Sequence, residues 1–320
     1  MKVLVTGGGG FLGSAIVRRL RERGDDVRSF SRRQYKHLAV LGVEQVEGDL
    51  TDAAAVQRAC GGCDIVYHVA AKAGVWGRYI EYDAANVVGT QNIIDACGVT
   101  GVPRLVYTST PSVVYHGGDI EGGDESLPYP AHFEAAYPLT KAIAEQRVRS
   151  ANGPTLKTVS LRPHLIWGPG DPHLIPRIVE RARRGKLRRI GYTSKKVDVI
   201  HVENAAHAHI LAGDAIERIG GNVYFITNGE PVDLWDFINR VLARAGLPPV
   251  TKSVPYTVAW LAGAMLEGVY GMLRLKDEPP MTRFVARQLA TAHWFDISAA
   301  RRDFGYVPII SIDEGLRQLK

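Results

Sequence analysis

Short apolar runs alternate with amphipathic stretches through the first half of the chain. Val3-Leu4-Val5, Val27 to Phe30, Ile65 to Val69, Leu105-Val106-Tyr107 and Thr158 to Leu161 are each too short for a helix and predict buried strands. Between them, Leu12 to Arg23, Ala84 to Cys97 and Thr140 to Ala151 predict helices. In the first of these, Leu12, Ile16 and Leu20 share one face while Arg18, Arg19, Arg21, Glu22 and Arg23 fall largely elsewhere, so one side packs and the other is solvated. Strands separated by helices predict an α/β fold with a parallel sheet wound on both faces.

The texture changes after Arg162, where Pro163, Pro169, Pro172 and Pro176 mark turns before a basic helix. A strand-like run at Val197 to Val202 and another at Val223 to Thr227 predict a return to the first domain, and from about Asn228 the pattern is mainly helical. The expected division is therefore a nucleotide-binding domain over 1–165 and 195–228, and a smaller substrate-binding lobe over 166–194 and 229–320. Within that lobe, Val254 to Leu266 carries no charge and the apolar texture resumes after Glu267 as far as Leu273. The break at Glu267 argues against a transmembrane helix. Three readings remain for 254–273: a core helix, an apolar groove for acyl chains lined by Trp260, Met265, Leu266, Tyr270 and Met272, or a helix that touches a membrane or partner surface.

Composition narrows the class without fixing the chemistry. In 320 residues, 46% are hydrophobic and 22% charged, as expected for a globular protein with a sizeable core. A net charge of +6 favours anionic ligands, but no nucleic-acid motif accompanies it and no nucleic-acid partner is expected. The basic run Arg181 to Arg189 reads first as a solvated face and second as a docking site for an anionic surface, an acidic partner or a substrate carboxylate. Three cysteines, with no signal-peptide layout, predict a reducing, cytoplasmic compartment, with membrane association left open by the apolar stretch. Cys60 and Cys63 have redox spacing but flank a Gly-Gly turn rather than opening a helix, which predicts a structural role. The histidines show no ligand arrangement, so no metal is expected.

The first chemical signal is Val3-Leu4-Val5-Thr6-Gly7-Gly8-Gly9-Gly10-Phe11-Leu12-Gly13: a buried strand, a glycine turn and a helix start. Gly7 permits the tight turn, Gly10 lets backbone approach a pyrophosphate, and Gly13 allows close helix-to-sheet packing. The helix N-terminus adds free N–H groups and the positive end of its dipole. This is a Rossmann-type dinucleotide site. At the end of the second strand an NAD enzyme would carry an acid for the ribose hydroxyls, whereas this chain reads Ser31-Arg32-Arg33, suited to a 2′-phosphate and hence to NADP(H).

The second signal is Tyr137-Pro138-Leu139-Thr140-Lys141, which sets a phenol and an ammonium one helical turn apart. A lysine cation held close lowers the pKa of a tyrosine that would otherwise titrate near 10, making the pair a proton donor for ketone reduction. The hydroxyl cluster Thr108-Ser109-Thr110 ends a preceding strand, where ligands collect in open parallel sheets.

With these motifs the sequence resembles the extended short-chain dehydrogenase/reductase superfamily, including its 3β-hydroxysteroid dehydrogenase and dihydroflavonol reductase branches. The resemblance implies that Thr6 to Gly13 is the family's phosphate turn, with Gly7, Gly10, Phe11, Leu12 and Gly13 against the cofactor. It further implies that Asp49 and Leu50 contact the adenine, that Ala70, Ala71 and Lys72 line the cofactor, and that Asn86 is structural. Tyr137 would be the acid/base, Lys141 its partner on the nicotinamide ribose, and Thr110 the substrate-orienting hydroxyl with Ser109 as its rival. Arg162-Pro163 resembles the start of the loop that passes the nicotinamide.

The segments Ala71 to Gly77, Tyr107 to Ser112, Arg162 to Asp171 and Pro279 to Phe284 resemble more closely the 2-alkyl-3-oxoalkanoate reductases of bacterial long-chain olefin biosynthesis. That implies a long-chain β-keto acid substrate reduced with NADPH. A homodimer, a peripheral membrane contact or a complex with other olefin-route enzymes would be compatible with it. The alternatives are a hydroxysteroid or dihydroflavonol oxidoreductase with the same catalytic pair, a nucleotide-sugar epimerase, which would want a more polar lobe, and a non-catalytic NADP-binding regulator.

Overall fold

The computed structural model describes residues 1–275 and 277–319. Seven strands form the central sheet: β1 (Lys2–Thr6), β2 (Asp26–Ser31), β3 (Glu44–Glu47), β4 (Ile65–His68), β5 (Arg104–Thr108), β6 (Lys157–Pro163) and β7 (Val223–Ile226). Their order is β7-β6-β5-β4-β1-β2-β3, and every pairing is parallel. The chain moves outward from β1 to β3 and then restarts on the other side with β4, so a crevice opens at the carboxyl ends of β1 and β4.

Each face of the sheet is buried by helices, which is why its strands are apolar on both sides. Val3 and Val5 point to one side, where helix α1 (Phe11–Arg23) packs Leu12, Ile16 and Leu20 against them. Leu4 points to the other, where α2 (Ala53–Cys60) supplies Val56, α3 (Gly89–Thr100) supplies Ile93, and α4 (Ala136–Ser150) supplies Ala144 and Val148. Each large aliphatic chain buried in these layers contributes roughly 1.5–3 kcal/mol. α1 ends at Gly24, which takes the left-handed conformation with φ 90° and donates its N–H back to Arg21.

The structure moves two expected elements. The helix expected from Thr140 begins earlier, at Ala136, because Pro138 falls in the first turn, where a missing N–H is harmless. Tyr137 is thereby placed inside the helix with Lys141. The strand expected over 197–202 is split: Lys196–Val197 joins a small second sheet, while Ile200–His201 pairs with Ile166–Trp167. Asp198 separates them, fully buried, with a carboxylate oxygen accepting the Phe295 N–H at 2.7 Å. Burial pushes the Asp198 pKa up to about 7, and its other oxygen has no partner among the described residues, so the side chain turns inward at some cost and interrupts the strand pairing.

The smaller lobe has its own core around Trp167, Trp235, Phe237 and Leu242. Its helices include α5 (Leu174–Arg183) and, after α6 (Val202–Asp214), which packs on α1 in the core beside the central sheet, α7 (Leu234–Arg244), α8 (Tyr256–Met272) and α9 (Arg283–Gln288). The second sheet runs Val232–Asp233, Lys196–Val197, His293–Phe295, Ile120–Gly123. Among the described residues no helix is long and apolar enough to cross a membrane.

Candidate active site

The turn between β1 and α1 is held from below by Thr6. Its hydroxyl accepts the N–H groups of Val69 and Ala70 at 3.1 Å and meets His68 Nδ1 at 2.8 Å; the other nitrogen of His68 meets Thr90 at 3.0 Å. Burial lowers the His68 pKa to about 3, so the ring is a neutral strut between β1 and β4 at ordinary pH. Gly7 has φ 68°, and a methyl group there would stand 3.1 Å from Ala70. A methyl at Gly13 would stand 2.1 Å from the Gly7 carbonyl oxygen, so α1 can start beneath the turn only with glycine there. Gly10 is open except toward that same oxygen, and no side chain caps the helix it precedes. The first-turn N–H groups around Phe11, Leu12 and Gly13 therefore remain to bind an anion.

Beyond the turn, Ser31 closes β2 with a buried hydroxyl that has no hydrogen-bond partner. Arg32 and Arg33 follow, both exposed. Arg33 stacks over Tyr35 at 5.0 Å, and the Tyr35 ring in turn lies against Gly9, where a methyl would meet it at 2.2 Å. An orphaned hydroxyl followed by two exposed arginines at the end of β2 can receive the adenosine half of a dinucleotide. Asp49 accepts both the N–H and the hydroxyl of Thr51, which hold its carboxyl below the usual range, while Leu50 packs on Gly89. Ala70 closes on Gly7; Lys72 bonds through its backbone to Asn86 and through its side chain to Glu81 at 3.0 Å. Pro163 terminates β6 at the same edge of the sheet. The glycine turn, Ser31, Ala70, Thr110 and Pro163 are thus all gathered at the carboxyl ends of the strands.

At the end of β5 the two hydroxyls in question separate. Thr110 lies beside the Tyr137 phenol, donates to Ser112 Oγ at 3.1 Å and caps the short helix Pro111–Val114, whereas Ser109 lies on the side of Glu145. Burial raises the Tyr137 pKa to about 12, partly opposed by the neighbouring Thr110 hydroxyl. Lys141 is buried; its Nζ donates to the Thr108 carbonyl at 2.6 Å and stands 4.1 Å from the centre of the Tyr107 ring. Desolvation lowers the ammonium to about 7, with Glu145 one turn further along opposing the shift. The lowered phenol expected from the Tyr137/Lys141 spacing is not found: Tyr137 is raised by burial, and Lys141, turned to the Thr108 carbonyl, feels Glu145 as its neighbouring charge.

Glu145 is the residue that motif reading missed. It is fully buried, accepts two bonds from Arg162 at 2.9 and 2.6 Å, and accepts the Tyr129 hydroxyl at 2.6 Å. Those donors hold its carboxyl below the usual range despite burial. The i+4 spacing of Tyr137, Lys141 and Glu145 along one face was a signal in the sequence; its Arg162 partner, on β6, was not.

The apolar helix α8 splits by face. Met265 and Met272, expected to line a groove, lie outward at 66% and 77% exposure, while Tyr270 packs edge-on to Trp76 and the Trp76 indole donates to the Leu275 carbonyl. Trp260 and Leu266 are half-buried.

The profile of the 3-beta hydroxysteroid dehydrogenase/isomerase family matches residues 4–255. A 2-alkyl-3-oxoalkanoate reductase of Stenotrophomonas maltophilia is 53% identical over 100% of this chain and 98% of its own length. One of Shewanella oneidensis is 50% identical over 99% of this chain and 84% of its own. Among solved structures, the Thermus thermophilus UDP-glucose 4-epimerase in complex with NAD superposes with a TM-score of 0.75 at 26% identity, covering 100% of this chain and 97% of that one. Fold, site and relatives agree: this chain is an oxidoreductase that belongs to the 3-beta hydroxysteroid dehydrogenase/isomerase family.

Proposed function

We propose that the chain reduces the 3-oxo group of 2-alkyl-3-oxoalkanoates to the 3-hydroxy product with NADPH. The observation that carries the reading is the Thr110–Tyr137 hydroxyl pair at the mouth of the sheet, in a chain about half identical over its whole length to reductases named for that substrate. The cofactor is a nicotinamide dinucleotide, which supplies the hydride when bound. Gly7, Gly10, Phe11, Leu12 and Gly13 would hold its pyrophosphate, Asp49 and Leu50 its adenine, and Ala70, Ala71, Lys72 and Pro163 its nicotinamide half. Ser31, Arg32 and Arg33 would take the 2′-phosphate that distinguishes NADPH from NADH.

In this reading Thr110 orients the substrate carbonyl by donating to its oxygen. Tyr137 gives that oxygen its proton as the alkoxide forms, so the phenol must be protonated at the start, as burial ensures. Lys141 binds the ribose hydroxyls and, as a cation, stabilises the phenolate left behind. Glu145 and Arg162 position Lys141 from beneath. The lobe over 166–194 and 229–320 would receive the alkyl chains, with Trp260, Leu266 and Tyr270 on its inner side.

The test is to incubate the protein with NADPH and a racemic 2-alkyl-3-oxoalkanoate, following the nicotinamide band and identifying the product. Stoichiometric 3-hydroxy acid supports the reading. Oxidation of a 3β-hydroxysteroid with no turnover of the keto acid would replace it.

A further inference from the structure

Almost half of the exposed large hydrophobic side chains among the described residues belong to one helix and its exit: Val258, Leu261, Met265, Val269 and Met272 on α8, then Leu273 and Leu275. At about 100° per residue the five helical positions fall within an arc of about 80°, so they form one continuous stripe. The opposite side of α8 is bound to the protein through Ala259, through Gly263 against the Thr282 backbone, and through Glu267 against Arg283. Glu267 is the only charged residue of the helix, and that pairing turns it away from the stripe. The stripe is therefore both uncharged and unpartnered within the described chain.

Cations border it. The strand Ser253–Val254 that leads into α8 pairs with Arg189–Ile190, which brings the run Arg181 to Arg189, six cations in nine residues with no acid, beside the start of the helix. Arg183, Lys186 and Lys252 are exposed there, and Arg274 is exposed at the other end. α5 lies along the exit segment, with Arg177 on Glu278 and Arg181 on the Pro280 carbonyl. The rim is dominated by cations, although Asp277 is exposed in it and Glu278 and Glu180 pair with Arg177 and Arg184, so self-docking would bring two net cationic rims together. A ridge about 25 Å long, convex rather than grooved, also offers no slot for a peptide. Its complement is a surface that is apolar inside and anionic outside.

From this we infer that α8 docks the protein on an anionic lipid bilayer, the stripe entering the headgroup boundary and the basic rim meeting the phosphates. The docked face carries a functional consequence. Tyr270, on the protein-facing side of α8, and Leu275 contact Trp76 in the segment that follows β4, so the docking helix is linked to the edge of the candidate cofactor site. The docking surface does not depend on which substrate the enzyme takes.

Flotation of the full chain with phosphatidylcholine vesicles, with and without phosphatidylglycerol, tests the inference. The expected result is flotation with the anionic vesicles at low salt, reduced by at least about tenfold in the double variant Leu261→Ser/Met265→Ser and weakened by Arg183→Glu/Lys186→Glu. Unchanged melting temperature in the serine variant confirms that the fold is intact, since both positions are exposed. Absence of flotation by the wild type, or flotation indifferent to the serine substitutions, overturns the inference. So does a wild-type dimer that the serine variant converts to monomers without any vesicle binding, which would make the stripe an interface between copies.

Discussion

Helices α4 and α8 invert the usual relation between polarity and burial. α4 is built of alanines, charges and hydroxyls, yet it buries Thr140, Lys141 and Glu145; α8 is almost wholly apolar, yet buries only Ala259 and Gly263. Burying charge is unfavourable unless every group is paired, so α4 keeps its ions only because Arg162, Tyr129 and the Thr108 carbonyl meet them. Exposing an apolar stripe is likewise unfavourable unless something covers it. Under the proposed function and the docking inference, each exception to ordinary packing is a place for another molecule: cofactor and substrate at α4, a membrane at α8.

The comparison breaks first if the ions of α4 are dispensable. Glu145→Ala leaves Arg162 buried without its counter-ion and should lower folding stability by about 3–5 kcal/mol in a denaturant titration. A loss below about 1 kcal/mol would mean that the pair is not what permits the burial.

The cofactor edge gives the next largest effect. Replacing Arg32 and Arg33 with Ala should weaken NADPH binding by about 1–3 kcal/mol and leave NADH nearly unchanged, as only NADPH carries the 2′-phosphate. Equal losses for both, measured by fluorescence titration, would remove these residues from the discrimination.

A smaller effect concerns the buried lysine and sharpens the account through its sign. Because the folded pKa is about 7 and the unfolded one is near 10.5, the unfolded chain binds the extra proton between those values, and stability rises with pH across that window. In the cofactor-free protein, the melting temperature of Lys141→Met relative to wild type should therefore be highest below pH 7 and decline toward pH 10. A difference independent of pH would show that Lys141 keeps an ordinary pKa in the fold.

What the sequence disclosed and what it hid follow from the range of the interactions. The glycine turn is local: Gly7, Gly10 and Gly13 each answer a steric demand set within a few residues, so spacing alone reveals it. Tyr137 and Lys141 are equally local, and so is the alternation of strand and helix patterns from which a parallel sheet is expected. Partners distant in the chain were not legible. Nothing near Glu145 announces Arg162 on another strand, and nothing in Val197 to Val202 announces that Asp198 must reach Phe295 and so divide the run. α8 was ambiguous because it is apolar all round, so periodicity could not say which face turns outward.

The account rests most heavily on the phenol of Tyr137 as the proton donor. Steady-state reduction of a 2-alkyl-3-oxoalkanoate by Tyr137→Phe, with NADPH saturating, measures that directly. The account predicts a kcat lower by about a hundredfold or more with little change in NADPH affinity. Turnover by the Phe variant near that of the wild type would contradict it.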